Sequence, residues 1–501
     1  MITLLVNEIS QALKKDASFQ ALLDDFRSRR LPVEVEGSQG FFQALLVQAL
    51  AASSPGPVFV VAPTDAEATA FAHDLESLGL EVDLFPWWGP LLYQGISAPA
   101  QVFGQRSRVL SRLVSGQAKI VLVSLRSLLF PVLPKTDFKA ELKTWKIGNT
   151  LHVAKVADQL TRLGYGRVPR VSVPGEFALR GEVLDLYLQG DDDAVRVVFD
   201  FDTIDEIKRF NPLTQASTKA LKELTVYPAR ELILTQEHRT CLEGHLQRLG
   251  MDGSESVLES LALTGDLRGV ELYYPLAWPA KTGLWDWAEP GVPFLFLDRD
   301  HSESLEGTLK KEWAELFKQS QAMGLHLPPP AEVFFSPKDL EVIDARSVWF
   351  RSLHDEGTGV KRHKIDSEPP RSFFGNVPFL QEEIGTLLAN RYKVFVFAES
   401  QSQAQRIEFL LKDHEVTIIP QGISAGFSLP RQKIAAIGEN EIFGRRKRAP
   451  ASLKKTNSEV IESFVDLSPQ DYVVHVNYGI GQFQGIERIK AGGNERDYIK
   501  V

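Results

Sequence analysis

Nucleotide chemistry on an α/β scaffold needs a few residue types at fixed spacing, and this sequence keeps the places without the residues. In VEVEGSQGFFQALLVQAL (33–50) a short apolar run passes through a glycine turn into a helical pattern. A phosphate-binding loop there requires Gly-x-x-x-x-Gly-Lys-[Ser/Thr], in which backbone N–H groups wrap phosphate, the lysine reaches the terminal phosphates and the hydroxyl holds Mg²⁺. Gly37 and Gly40 keep the turn, but Gly40 and Phe41 stand where lysine and hydroxyl belong, and Glu34 and Glu36 would repel phosphate. The metal-binding strand of such a site ends in two carboxylates. VPFLFL (292–297) ends instead in Asp298-Arg299-Asp300-His301, so Asp298 reads as an inert remnant at a strand end with solvated charges. Gly37, Gly40, Phe41 and Asp298 therefore read as a degenerate nucleotide site, with no catalytic residue, no cofactor and no metal expected in this chain.

A second constellation carries charge rather than chemistry. TRLGYGRVPRVSVPGEFALRGEVLDLY (161–187) holds Arg162, Arg167, Arg170 and Arg180 with one acid, Glu176, before position 182. Guanidinium forks suit carboxylates on a partner, and a local positive face on an acidic protein steers a negatively charged one. Charge alone leaves an ordinary mixed-charge sheet surface as the alternative. Other signals are weaker. His152, His238 and His245 show no repeating metal-ligand spacing, Trp87-Trp88 reads as a buried aromatic anchor rather than a base-stacking platform, and Arg445-Arg446-Lys447-Arg448 reads as a solvated linker. No Ser-His-Asp arrangement stands out.

The elements that must position these residues alternate between buried strands and helices, the texture of a parallel α/β sheet. Strands are expected at PVFVVAP (57–63), KIVLVSL (119–125) and VPFLFLD (292–298), with helices at 65–79 and 101–116. A helix near 153–163 followed by FALRGEVLDLYL and VRVVFDFDTIDEIKRF predicts an α+β insertion with antiparallel strands, and ELILT (231–235) opens the return to α/β texture. LPPPAEVFF (327–335) marks a boundary, HDEGTGVKRHKIDSEPPRS (354–372) reads as a linker, and a helix–strand–helix–strand series follows. The resulting division is an α/β domain in two parts (1–128 and 214–345), an inserted α+β domain (129–213), a small α/β domain (346–444), a basic linker with the short helix IESFVDL (445–466), and a small β module of three strands (467–501). Three strands cannot close a barrel, so the sequence is expected to end inside a domain.

Composition narrows the class. The chain has 501 residues, 44% hydrophobic and 24% charged, enough for several cores. A net charge of −9 argues against nucleic-acid binding over the whole surface, and a lone cysteine, Cys241, excludes an internal disulfide or a cysteine zinc cluster. No apolar run reaches ~18–20 residues, and MITLLVNEISQALKKD lacks a basic head and cleavage site. A cytoplasmic location without membrane contact is the expectation.

GYGRVPRVSVPGEFALRGEVLDLY, followed by VVFDFDTIDEIKRFNPLTQAS (197–217), closely resembles the module shared by UvrB, the damage-verifying subunit of nucleotide excision repair, and the bacterial transcription-repair coupling factors. VVHVNYGIGQFQGIERI with DYIKV resembles the opening of a CarD-like RNA polymerase-interaction domain, and only the coupling factors carry both in this order. The resemblance implies a degenerate RecA/UvrB-like lobe with an inserted UvrA-binding domain, a second small α/β domain and the beginning of a CarD/Tudor-like barrel. It implies UvrA contact through Arg167 and Arg180 with Tyr187 beside them, although Ala178 stands where UvrB has a further arginine. It implies contact with the RNA polymerase β subunit through the strand of Tyr498 and Ile499. Double-stranded DNA, ATP and Mg²⁺ would be handled by a translocase motor expected beyond residue 501, and the chain is expected to be a monomer. The alternative is a UvrB-like ATP-dependent helicase subunit; a transcription factor is a third reading that rests on the CarD-like tail alone.

Overall fold

The computed structural model describes residues 2–89, 92–94, 97–230, 234–250, 255, 257–260, 269–351, 359–444, 472–475, 479–482, 484–491 and 494–500. Met1–Ile442 and Phe443–Val501 are separate compact units.

The first unit is organised by a seven-stranded, all-parallel sheet. Its order is Lys361–Lys364, Val33–Glu36, Ser347–Arg351, Phe294–Phe296, Val58–Ala62, Ile120–Ser124 and Asp83–Phe85. Val58–Ala62 and Ile120–Ser124 are buried at every position, as strands covered by helices on both faces must be. The helix Asp65–Ser77 between them opens with a reciprocal cap, in which Thr64 Oγ1 accepts from the Glu67 N–H and the Glu67 carboxylate accepts from the Thr64 N–H. Trp87 and Trp88 are buried, as the sequence suggested, against Phe130, with Trp88 beneath the guanidinium of Arg106.

Two segments read as boundary and linker are built into this core. Val333, Phe334 and Phe335 of the proline-rich stretch are buried, with Phe334 stacked on Trp313 at 3.8 Å. In the supposed linker, Lys361–Lys364 is the edge strand paired with Val33–Glu36. Its composition misleads because an edge strand tolerates charge and because Asp25 makes charge welcome here. The Asp25 carboxylate, fully buried, meets Lys361 Nζ at 2.6 Å, His363 Nε2 at 2.9 Å and Arg30 Nε at 2.7 Å. Burial raises its pKa, and these three donors more than offset that, holding it at about 2.

A six-stranded sheet forms the insertion, in the order Ser217–Leu221, Thr203–Phe210, Ala194–Asp200, Val183–Leu186, Glu176–Arg180, Gly166–Arg167. It runs to Leu221, beyond the boundary expected at 213, and a two-stranded ribbon of Lys143–Lys146 with Glu223–Val226 closes its base. Strand alternation sorts its side chains. Phe177, Leu184, Leu186, Val195, Val197 and Ile207 face the main core with Val156 and Leu160 of the helix Val153–Arg162, while Ala178, Tyr187, Ala194 and Phe210 form a thin second cluster with Val171 on the other face. Gln189 wedges the insertion onto the lobe: a Cβ on Gly104 would lie 2.1 Å from Gln189 Cβ, and one on Gly175 would lie 2.4 Å from Gln189 Nε2.

The small α/β region is a four-stranded sheet, ordered Thr417–Ile419, Lys393–Phe397, Ile434–Gly438, Phe427–Leu429, with helices Val377–Ala389 and Gln401–Leu410. The loop before Phe427 docks on the first lobe. Gln421 Nε2 donates to Ser77 O at 3.0 Å, and the buried Asp74 carboxylate accepts the Ser424 N–H at 2.8 Å and the Ser424 hydroxyl.

In the second unit, Tyr472–His475 pairs with Gly479–Gln482 and Gly485–Ala491 with Asn494–Lys500. Among the described residues these are four strands in two antiparallel pairs, where three were expected. The basic linker and the helix IESFVDL lie outside the described residues, as do residues 231–233 of ELILT.

Burial without a cation partner raises the Asp74 pKa from 3.8 to about 6, against the pull of the Ser424 donors. A carboxyl with a raised folded-state pKa contributes stability that is full below its unfolded value and lost as pH rises through the folded one. Asp74→Asn should therefore remove a loss of up to about 3 kcal/mol between pH 4 and 7, measured as the difference between parent and variant urea-unfolding free energies across that range. Parallel pH profiles would refute the assignment.

Candidate functional site

The turn after Val33–Glu36 leads into the helix Phe41–Ser53, whose N-terminus is where a phosphate would sit. Part of that place is taken by the protein itself. The Phe41 N–H donates to Ala425 O at 2.9 Å, and Gly37 O accepts the Ser367 N–H at 3.1 Å and its hydroxyl. Gly40, at φ +55°, lets this loop approach: a Cβ there would lie 2.4 Å from Gly426 O and 2.7 Å from Ala425 O. The Phe41 ring is fully buried, 5.6 Å from that of Phe397. The retained glycine thus accommodates a neighbouring backbone.

The acids of this region are also committed. Glu34 is buried 3.2 Å from Arg351 Nε, and Arg351 reaches Asp300 at 2.5 Å and Glu303 at 3.0 Å. Asp298 caps the helix Arg299–Ala322 by accepting the His301 N–H at 2.9 Å, and Arg299 is buried in a pair with Glu303 at 2.9 Å. The strand end read as solvated charge is a helix cap beside buried ion pairs. A helix N-terminus favours a capping carboxylate whether or not a metal was ever bound.

The four arginines of the second constellation are dispersed. Arg162 forms a bidentate pair with Glu141, at 2.6 and 3.0 Å. Arg170 lies with Nη2 3.5 Å from Pro212 O. Arg167 is aligned with Phe177 in a parallel pair at the sheet edge; it is exposed and makes no ion pair among the described residues. Arg180, two residues beyond Ala178, shares the face of Ala178 and so lies opposite to Phe177; its Nη2 donates to Asp185 Oδ2 at 2.7 Å. The two arginines named together from the sequence thus sit on opposite faces of the sheet. Tyr187 is buried in the thin cluster, its hydroxyl donating to Asp192 O at 2.9 Å; burial, then the charge of Asp192, push its pKa up.

The organising group of that face escaped the sequence reading. Asp185, 1% exposed, also receives Arg196 Nε at 2.6 Å and Nη2 at 2.9 Å, and Arg196 Nη2 continues to Gln215 Oε1 at 3.1 Å. The hydrogen bonds to Asp185 raise the Arg196 pKa. Arg196 lies over the Phe210 ring at 4.5 Å and is 23% exposed, whereas the Arg180 side chain is 52% exposed. Arg196 neutralises the buried carboxylate, and Arg180 is left with one tethered nitrogen and its remaining donors open to a partner. The antiparallel register sets Asp185 opposite both Ala178 and Arg196, a pairing that a list of residues does not carry.

In the second unit, Tyr498 and Ile499 lie on Asn494–Lys500, opposite Glu487 and Ile486. His152 pairs with Asp202 at 3.0 Å, His238 packs on Trp278 at 4.6 Å, and His245 Nδ1 lies 2.6 Å from Leu276 O. No helix among the described residues is long and apolar enough to cross a membrane.

These geometries separate a structural from a presented arginine. Arg196→Ala should lower unfolding free energy by about 2–3 kcal/mol, because it strips a buried carboxylate of its main partner. Arg180→Ala should cost under about 1 kcal/mol. Urea titrations at neutral pH check both, and equal losses would contradict the division.

The family model described as the UvrB interaction domain matches residues 144–232, and that of the CarD-like/TRCF RID domain matches 467–501. The transcription-repair-coupling factor of Borreliella burgdorferi is 27% identical over 498 residues, 99% of this chain and 43% of that protein. That of Bacillus subtilis is 26% identical over 537 residues (99% and 45%), and that of Myxococcus xanthus 27% over 541 (96% and 44%). The chain spans under half the length of these curated relatives. Its sequence resemblance is thereby shown: nearly end to end the chain is similar to transcription-repair-coupling factors, and it carries a UvrB interaction domain and a CarD-like/TRCF RID segment.

Proposed function

We propose that this chain is the adaptor region of a transcription-repair coupling factor. Its insertion recruits UvrA, and its terminal strands dock on the RNA polymerase β subunit, where an added strand edge would supply affinity and alternating side chains specificity. The parallel lobe is then a degenerate RecA/UvrB-like fold, and the two antiparallel strand pairs belong to a CarD/Tudor-like barrel. In the whole protein an ATP-driven motor on double-stranded DNA displaces the stalled polymerase in the cytoplasm, and the chain acts as a monomer.

The observation that carries this reading is the outer face of the insertion. There a UvrB interaction domain presents a half-exposed Arg180, aimed by a buried carboxylate that another arginine already neutralises. A guanidinium so placed has donors ready for a partner carboxylate at little ordering cost. A non-nucleotide role for the lobe is supported by the Ala425 carbonyl on the Phe41 amide, which phosphate would have to displace.

Two measurements test the proposal. In calorimetric titration with purified UvrA, Arg180→Glu should weaken binding at least ~100-fold by placing like charges at the contact, with the melting profile retained; unchanged affinity would refute the site. Titration of the chain with Mg-ATP should give no saturable heat, and saturable binding would overturn the view of an engaged loop.

A further inference from the structure

The loop that leaves the outer face of the insertion holds an apolar side chain out in water with unusual care. Leu213, in Asn211-Pro212-Leu213-Thr214-Gln215-Ala216, is 76% exposed. Single exposed leucines are common and by themselves mean little. This one sits on a fully bonded frame. Asn211 Oδ1 accepts the Leu213 and Thr214 N–H groups, both at 3.0 Å. The Asn211 N–H donates to Ala216 O at 2.9 Å, and the Gln215 N–H to Asn211 O at 2.8 Å. Gln215 Nε2 donates to Pro212 O at 2.7 Å, while its Oε1 accepts from Arg196 Nη2 at 3.1 Å. The proline fixes one dihedral immediately before the leucine.

The frame is continuous with the charged network. Arg196 joins Gln215 to Asp185, and Asp185 joins Arg180. Phe210, one residue before the loop, lies buried under the Arg196 guanidinium. One set of hydrogen bonds therefore holds both a presented guanidinium and the backbone that presents an isobutyl group. Fixing a group before binding removes ordering cost from the association step, and an apolar contact rimmed by charge is the common anatomy of a protein interface.

We infer that Leu213 is the apolar anchor of the UvrA-docking face, entering an apolar recess on the partner that lies beside the carboxylate met by Arg180. The partner surface it fits is acidic and carries such a recess. This inference rests on the reading that Arg180 contacts UvrA.

The test is a titration of purified UvrA with the full 501-residue chain and with Leu213→Ala, Leu213→Asp and Arg180→Ala. Leu213 is exposed, so neither substitution there should move the urea midpoint. Leu213→Ala should weaken binding roughly tenfold and Leu213→Asp roughly a hundredfold or more, since an acid would be buried against an acidic surface. Weakening by Arg180→Ala with full affinity in both Leu213 variants would overturn the anchor and leave the arginine contact standing. Weakening by the Leu213 variants alone would remove the arginine contact and overturn an anchor seated beside a carboxylate that Arg180 meets. Full affinity in all three would overturn both.

Discussion

The hydrogen bond from the Phe41 amide to the Ala425 carbonyl joins two parts of the first unit that lie far apart in sequence. The first turn of a helix always leaves N–H groups in need of acceptors. In a nucleotide-binding lobe phosphate oxygens can supply them; here a peptide carbonyl from the small α/β region does. That exchange accounts for neighbouring details. Gly40 clears a path for backbone, Phe41 fills the space beneath, and Asp74 holds Ser424 so that the carbonyl stays in place. An acceptor supplied by the chain is always present, so the small α/β region and the lobe are fixed to each other without any ligand.

A rigid lobe has a use if something must be displayed from it. Gln189, wedged between Gly104 and Gly175, fixes the insertion with no room for an extra methyl group. On the far face, Asp185 replaces the second layer of core that the thin Ala178–Phe210 cluster cannot provide. A buried carboxylate is costly unless fully paired, and its partners Arg196 and Arg180 divide the work between neutralisation and display.

The parts of this arrangement that were legible in the sequence are those governed by local pattern. PVFVVAP, KIVLVSL and VPFLFLD are continuous apolar runs, and buried parallel strands have no other signature. The missing lysine and hydroxyl near Gly40 were visible as letters. What remained hidden depends on pairing. Lys361–Lys364 reads as solvent-loving until Asp25, more than three hundred residues earlier, is set beside it. Asp298 and Arg299 look solvated until the helix they begin and the acids facing it are known. Arg167 and Arg180 looked like one patch because a list of residues carries no face. Only the register separates them, and the same register brings Arg196 to Asp185.

The order of strands in the parallel sheet also bears on how the chain is made. Val33–Glu36 lies between Ser347–Arg351 and Lys361–Lys364, and both flanking strands come from far downstream. At roughly 5–20 residues per second, the opening strand leaves the ribosome on the order of tens of seconds before either neighbour exists. During that interval the N–H and C=O groups along its edges are bare, and closing so long a loop is slow in itself. The insertion has no such wait, since all six of its strands arise within one contiguous stretch between Gly166 and Leu221. A growing polypeptide would therefore complete its display module first and its supporting lobe last, and the lobe is where a nascent chain would need a chaperone's shelter.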